Sequence, residues 1–269
     1  MAYTVSSEFP AGFDGTAILK RLDLVLDPEL DESIMQLGFV RSVQVRDSQA
    51  IIALQLPTSW CAVNFAYIMA DDVRRALLAV EGIQTVTVQL GDHCAADEIE
   101  AAVNDGQPFA TAFPGTGAAD LSALRLIFLR KGLLVRQERL LRGLRAAGCS
   151  FAIICGLRLC DISVRNGIVL AELPGAAPVE AGPAEVLRRY LDRRAELGLD
   201  CARTAQLIVD ADGKTLSAEQ LEQHYQDARM VRVSLEANGA FCRAILARRL
   251  ADTLGLSSRP TAGGPYVQS

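Results

Sequence analysis

The chain has 269 residues, half of them apolar, and a formal net charge of −5. This length is enough for one large core or two ordinary ones. A mildly acidic chain is poorly suited to holding nucleic acid or an anionic membrane by bulk charge, so neither is expected as a partner. No stretch approaches the roughly 20 consecutive apolar residues of a membrane helix, and the first residues lack the pattern of a signal peptide. We therefore expect a soluble, cytoplasmic protein.

The seven cysteines are an odd number, and none of them forms a Cys-x-x-Cys pair. In a reducing compartment they are expected to be thiols. The spacing argues against a zinc ribbon, a thioredoxin-like redox pair and a ferredoxin-type cluster held by one chain. A P-loop and a dinucleotide glycine motif are also missing. With only His93 and His224 and no Glu-x-x-His, the chain is not itself a four-helix diiron protein. These exclusions favour a protein that is not an enzyme.

The first third of the chain predicts an α/β (α+β) domain with a small mixed sheet. Apolar residues alternate along the strands and recur at helical spacing between them. After a loose tail over 1–12, the elements in order are a helix over 15–25, a helical turn over 33–37, a hairpin of strands 39–46 and 50–56, a helix over 62–80, a strand over 85–90 and a helix over 94–104. Because a helix connects the second and third strands, we expect these two strands to be parallel.

A stretch rich in Gly, Pro, Thr and Ala over 105–120 is typical of a linker. A mainly helical α+β domain follows over 121–256, and 257–269 is expected to be a flexible tail. The predicted elements of the domain over 121–256 are helices over 121–147, 184–197 and 217–254, a buried strand over 151–159, and hairpins over 162–173 and 207–216. Turns at Asn166-Gly167 and Asp212-Gly213 indicate the hairpins, and Ser217 with Gln220 forms a capping box. The domain boundaries are therefore set at 1–104, 105–120, 121–256 and 257–269.

Cys61 is the residue most able to carry chemistry, because it stands where a strand gives way to a helix. Helix N-termini carry partial positive charge, which favours a thiolate that binds metal or attacks an electrophile. Thr58 can form a hydrogen bond across the same turn. Parallel strands end at one edge of the sheet, so Asp92, His93 and Cys94, which follow the next strand, are expected nearby. Thiolate, imidazole and carboxylate ligands suit iron or zinc.

Each of these residues also has an ordinary structural explanation. A lone cysteine at a helix start is often a small packing residue, and Asp92 and His93 are common at helix starts. Asp27 and Glu29 precede the hairpin and are typical of a turn, although they could approach the site from the side. Only the joint arrangement favours a metal site.

An ordered series of motifs across residues 15–92 resembles the small iron–sulfur assembly domain. The motifs are Asp27-Pro28-Glu29-Leu30, Leu37-Gly38-Phe39-Val40-Arg41, Thr58-x-x-Cys61 and Gly82-Ile83-x-x-Val86-x-Val88. That domain occurs in accessory proteins of the SUF system, in proteins encoded with phenylacetyl-CoA epoxidase and in cytosolic iron–sulfur targeting factors. The resemblance implies a role in maturing metal proteins, with Cys61 as the reactive cysteine and Asp27 and Glu29 in an acidic loop. The chain departs from the family in having Ala62, where proline often follows the cysteine.

Motifs between Asp92 and Arg139 are similar to longer accessory proteins encoded beside soluble diiron monooxygenases, and this resemblance implies such an oxygenase component as the client. The favoured function is therefore metallocentre maturation, with iron or an iron–sulfur cluster held transiently at Cys61 and zinc as the alternative metal. A cluster shared by a homodimer would explain the lack of four well-spaced cysteines. Two alternatives remain: a metal-free scaffold or chaperone for a client oxygenase, and a thiol enzyme with Cys61 as nucleophile and His93 as base.

Overall fold

The computed structural model describes residues 5–10, 13–115 and 121–253. This part of the chain forms two compact units, and its architecture is α+β, with a small mixed sheet near the N-terminus and a helical C-terminal region, which confirms the predicted fold class. As far as they are described, the first unit contains Met1–Val25, Ser33–Gly106 and Gly239–Ser269, and the second contains Leu26–Glu32 and Gln107–Asn238. The predicted flexible tail lies outside the described residues.

The chain passes between the two units more than once, since Leu26–Glu32 belongs to the second unit and the last helix contributes to both. In chain order they are β1 (Ser6–Glu8), α1 (Gly15–Asp23), β2 (Leu26–Asp27), β3 (Glu32–Ser33), β4 (Val40–Arg46), β5 (Gln49–Gln55), α2 (Val63–Leu78), β6 (Thr85–Gly91), α3 (Ala96–Asn104), α4 (Phe109–Ala112), α5 (Ser122–Ala146), α6 (Phe151–Gly156), β7 (Ile162–Arg165), β8 (Ile168–Ala171), β9 (Val179–Pro183), α7 (Ala184–Glu196) and α8 (Ala218–Thr253). Among the described helices, none is long and apolar enough to cross a membrane.

The sheet of the first unit has the strand order β1-β4-β5-β6. Strands β4 and β5 form the predicted antiparallel hairpin, and β5 and β6 are parallel, as their connection through α2 predicts. The predicted loose tail is wrong for Ser6–Glu8, which pairs with β4 in parallel. All three residues of β1 are exposed, so no apolar alternation marked the strand in the sequence.

One face of this sheet is buried, because apolar side chains alternate along its central strands. The buried residues of β5 and β6 are Ala50, Ile52, Leu54, Val86, Val88 and Leu90. Helix α2 supplies the largest set of buried helical residues in this unit and packs against β6. At the ends of the parallel strands Gln55 is in register with Gly91, so the segments that follow β5 and β6 leave the sheet at the same edge.

The second unit is built on α5 and α7 with an antiparallel sheet of β7, β8 and β9. Asn166 and Gly167 both adopt positive φ, 52° and 76°, as a type I′ turn requires, which confirms that hairpin. Helix α5 and β9 approach so closely that a Cβ on Gly143 would lie 1.9 Å from the carbonyl oxygen of Ala181. A side chain at that position would therefore force α5 and β9 apart.

Two local predictions for the second unit differ from the structure. The apolar run 151–159, predicted as a buried strand, instead begins with helix α6, because Ser150 Oγ accepts a hydrogen bond from the backbone N–H of Ile153 and caps the helix. Only Ile154 of that helix is fully buried, so the apolar run is not a fully buried strand but a helix with one buried side. The hairpin predicted over 207–216 is reduced to a single antiparallel bridge between Val209 and Thr215. The capping box of Ser217 and Gln220 is present as predicted.

Three charged side chains form a buried cluster inside the second unit. Arg136 donates two hydrogen bonds of 2.8 Å to the carboxylate of Asp31, and Arg193 donates a third of 2.6 Å. The side chains of Asp31, Arg136 and Arg193 are 3%, 5% and 6% exposed. Burial lowers the pKa of the Arg193 guanidinium from its ordinary value. The cluster fixes the conformation of the segment Leu26–Glu32 within this unit.

Candidate functional site

Cys61 lies in the segment between β5 and α2, which we call the thiol loop (residues 56–62). Helix α2 begins at Val63, and its N-cap Ala62 has extended backbone angles (φ −55°, ψ 126°) and no side-chain cap. The cysteine is therefore just ahead of the helix, and it is half-buried. Its Sγ lies 3.3 Å from Thr58 Oγ1, within hydrogen-bond distance, and either atom can be the donor. The hydroxyl of Thr58 thus fixes the side chain of a thiol that is still open to solvent.

His93 holds the backbone of the thiol loop. Its Nδ1 accepts a hydrogen bond of 3.2 Å from the backbone N–H of Ala95, which leaves the proton on Nε2. Nε2 then donates to the carbonyl oxygen of Cys61 at 2.9 Å. The imidazole is 8% exposed, and both of its nitrogens are engaged with backbone groups. His93 therefore positions the backbone of the thiol loop. The hydrogen-bond partner of the Cys61 thiol is Thr58.

The segment after β6, which we call the edge loop (residues 92–95), meets the thiol loop through its backbone as well. The N–H of Cys94 donates to the carbonyl oxygen of Ser59 at 2.7 Å, and the Cys94 side chain is exposed. Asp92 adopts a positive φ of 48° and its carboxylate is largely exposed. The thiol loop and the edge loop therefore lie side by side, as the parallel pairing of β5 and β6 predicts. Hydrogen bonds from His93 and from the Cys94 N–H connect them.

The metal-ligand roles of Cys61, Asp92, His93 and Cys94 stay predictions. In the part of the chain that the structure describes, no group of three or more His, Cys, Asp or Glu side chains is close enough to hold a metal ion. The residues that fit a soft metal best are the accessible thiols, and Cys61 is the one of them that lies inside the thiol loop, with its side chain beside the Thr58 hydroxyl.

The acidic segment of Asp27 and Glu29 belongs to the second unit. Asp27 Oδ1 accepts hydrogen bonds of 2.9 Å from the backbone N–H groups of Glu29 and Leu30. Burial raises the pKa of the Asp27 carboxyl to about 6, against the opposing effect of those two hydrogen bonds. Asp27 thus shapes its own turn and Glu29 is exposed. Their predicted approach to the thiol stays a prediction.

One residue at this edge escaped the sequence analysis. Arg249 in α8 donates to the carbonyl oxygen of Leu56 at 2.9 Å and to the backbone carbonyl oxygen of Asp92 at 2.8 Å, and it pairs with the Asp92 carboxylate. These residues all belong to the first unit. Nothing local marks Arg249 in the sequence, because α8 carries several arginines and the contact spans most of the chain.

A cavity of about 590 Å³ adjoins the two loops within the first unit. Its lining includes Pro57, Thr58, Trp60, Asp92, Ile245 and Arg249. Trp60, the only tryptophan in the chain, is 78% exposed beside it. A large aromatic side chain left in solvent next to a concave surface is typical of a place where another molecule binds.

Comparison with known proteins gives a family match. Residues 16–90 match the model of a family described as "Iron-sulfur cluster assembly protein". No curated protein and no solved structure gives a significant match. The matched residues include Asp27, Glu29, Thr58 and Cys61, and they end before the edge loop and long before Arg249. The match supports a general role in assembling iron–sulfur or related metal centres and gives no support to zinc.

Proposed function

We propose that the protein matures a client metalloenzyme by delivering iron or an iron–sulfur cluster, with the Cys61 thiolate as the ligand that holds this cargo. The observation that carries the proposal is a solvent-accessible thiol on a fixed loop, inside the residues that match the iron–sulfur assembly family. The thiolate is the form of cysteine that binds iron. A loop fixed by hydrogen bonds presents that ligand without the entropic cost of ordering it.

The geometry suits transfer better than storage. The nitrogens of His93 are committed to backbone groups, and the carboxylate of Asp92 is paired with Arg249, so recruiting either as a ligand would break an existing contact. Cys61 would then supply one thiolate, and a second protein would supply the remaining ligands. That second protein is the client during transfer, or a second copy of this chain while the cargo is carried. A cargo held by few ligands is released readily to a site that offers more of them.

We propose a diiron monooxygenase component as the client. The support is the resemblance of the stretch between Asp92 and Arg139 to accessory proteins encoded beside such enzymes. The carboxylate and imidazole ligands of a diiron site suit iron, so an iron donor is the chemistry that such a client requires.

The test measures iron, zinc and acid-labile sulfide on the full chain purified without oxygen, with an absorption spectrum, for wild type, Cys61→Ala and Cys201→Ala. The expected result is iron or sulfide in the wild type, its loss in Cys61→Ala and its retention in Cys201→Ala. Cys201 is the control because it is an exposed thiol of the second unit and belongs to neither loop of the site. Client activation in cells that is unchanged by Cys61→Ala would overturn the proposal.

A metal-free scaffold is the second candidate, favoured by the exposed Trp60 beside the cavity. It predicts no stoichiometric iron in any variant, with client binding weakened by Trp60→Ala and unaffected by Cys61→Ala. The thiol-enzyme alternative is less well supported, because the imidazole of His93 donates to the Cys61 carbonyl oxygen and is therefore not poised as the base for the thiol.

A further inference from the structure

We infer that Arg249 is a positioning residue of the thiol site, and that the C-terminal part of α8 completes a site that the family-matched residues alone do not contain. The expected change in iron transfer rests on the proposed function. The expected change in the motion of the thiol loop rests on the geometry alone. Its key contacts join Arg249 to Leu56 and Asp92, the first residues after β5 and β6.

A single guanidinium makes these contacts because its planar fork has five N–H donors in fixed directions. Nη1 donates to Leu56 at the start of the thiol loop, and Nη2 donates to the backbone carbonyl of Asp92 at the start of the edge loop. The same Nη2 pairs with the Asp92 carboxylate, and Asp92 is in the left-handed region of φ. Both acceptor carbonyls lie at strand ends, where the sheet no longer supplies partners, so the arginine replaces ladder hydrogen bonds that end there.

The position of Arg249 fits this role. Its side chain is 16% exposed, although the helix that carries it has a mostly polar surface. The cation is therefore largely removed from solvent and held between acceptors, where charge-assisted hydrogen bonds are stronger than exposed ones. The preceding residue gives a direct contrast: Arg248 is 61% exposed and pairs with Asp252, one turn along its own helix.

The consequence is that the thiol loop is held at both ends. Arg249 fixes its first residue, and His93 and the Cys94 N–H fix the residues around the cysteine. Loss of Arg249 leaves the links at Ser59 and Cys61 in place but frees the start of the loop and the cavity wall that Arg249 shares with Trp60. The expected effect is greater loop motion on the nanosecond timescale, which leaves the thiol more accessible but without a fixed orientation.

The experiment compares full-length wild type, Arg249→Ala, Arg249→Lys and the matched control Arg248→Ala. Because Trp60 is the only tryptophan, its time-resolved fluorescence anisotropy reports on the thiol loop directly. Peptide-resolved alkylation measures the rate at Cys61 relative to the exposed thiol of Cys201 in the second unit. We expect Arg249→Ala to lower the Trp60 anisotropy and to accelerate alkylation of Cys61. Arg248 also lines the cavity but pairs with Asp252 on its own helix, so Arg248→Ala should match the wild type if the contacts of Arg249 with the loops are what matters.

Cargo transfer supplies the functional readout. Removing residues that orient a metal ligand typically reduces affinity or activity by about 10–100-fold, and we expect a roughly tenfold slower transfer of iron from Arg249→Ala. Methylguanidinium added to Arg249→Ala is expected to restore part of the anisotropy and of the transfer rate, which a general folding defect would not allow. Arg249→Lys is expected to be intermediate, because one ammonium does not reproduce the forked geometry.

The outcomes separate this inference from the proposed function. Wild-type anisotropy and alkylation in Arg249→Ala would overturn the inference, as would full function in Arg249→Lys, which would show that a point charge beside Asp92 suffices. Retention of iron by Cys61→Ala would overturn the proposed function, yet the anisotropy and alkylation results for Arg249 would stand.

Discussion

The two units of the protein use polar groups in opposite ways. In the first unit an accessible thiol lies on a loop that is fixed by His93, the Cys94 N–H and Arg249, mostly through backbone carbonyl oxygens. In the second unit Asp31 and two arginines are removed from water, and the carboxylate accepts hydrogen bonds from both guanidinium groups. Charged and polar side chains therefore hold a reactive loop in place in the first unit and hold the interior together in the second.

The energetic expectations differ accordingly. A buried charge cluster is costly to form, because each ion loses its hydration, and costlier still to break, because the remaining charge has no partner. A single hydrogen bond around the half-buried thiol loop contributes about 1 kcal/mol, or roughly 1.5–3 kcal/mol where the charged Arg249 is the donor. Substitutions in the second unit should therefore affect stability, whereas those around the thiol should affect function.

Asp31→Asn should have the largest effect on stability. The amide keeps the size of the side chain and tolerates the positive φ of 53° at this position, but it removes the buried counter-charge that Arg136 and Arg193 share, and Arg193 then keeps its pair with the exposed Glu196. We expect a loss on the order of 3 kcal/mol in the free energy of opening of the second unit, measured by hydrogen exchange of its core amides.

Asp192→Asn is the control for that measurement, since Asp192 pairs with Arg188 at an exposed site. Exposed pairs contribute roughly 0–1 kcal/mol, so hydrogen exchange should hardly change. Equal effects of the two substitutions would show that the buried cluster is not a main source of stability in this unit and would remove the contrast between the units.

Gly143→Ala should have the next largest effect, because it tests packing without any change of charge. The new Cβ would lie 1.9 Å from the carbonyl oxygen of Ala181, so α5 and β9 must move apart. Overpacking of this kind costs about 1–3 kcal/mol. Thermal unfolding of Gly143→Ala and Gly156→Ala gives the comparison, because a Cβ on Gly156 in α6 meets no atom within 4 Å. A Gly143 variant as stable as the Gly156 variant would contradict the close approach of α5 and β9.

Much of the fold was predictable because the first unit has regular patterns. Alternation along β5 and β6 and the helix between them predicted the parallel pair, and that pair predicted which two loops meet. Strand β1 was missed because a three-residue exposed strand carries no apolar signal. The strand predicted over 151–159 was wrong because a short apolar run does not distinguish a strand from a capped helix.

The sequence was enough to predict which two loops form the candidate site. It was not enough to predict the hydrogen bonds within the site. Spacing placed His93 near Cys61, but it could not show that the imidazole donates to the carbonyl oxygen of the cysteine and leaves the thiol to Thr58. Arg249 was beyond sequence analysis because its contacts depend on the path of a long helix, and no residue pattern encodes that path.

Substitution of Asp27 should have the smallest effect on stability, and this effect should depend on pH. Its pKa is raised from 3.8 to about 6 in the folded chain, so ionisation of the buried carboxyl opposes folding at neutral pH. The stabilising contribution of the protonated form is complete below pH 3.8 and is lost as the pH rises through about 6. Between pH 7.5 and pH 5 the wild type should therefore gain about 1 kcal/mol relative to Asp27→Asn, whose amide oxygen can still accept from the N–H groups of Glu29 and Leu30. Hydrogen exchange of the Asp31 amide, which donates to the Asp27 carbonyl oxygen, measures this difference locally. The other titrating groups cancel between the two proteins, so a difference that does not change with pH would show that Asp27 titrates as an ordinary exposed carboxyl.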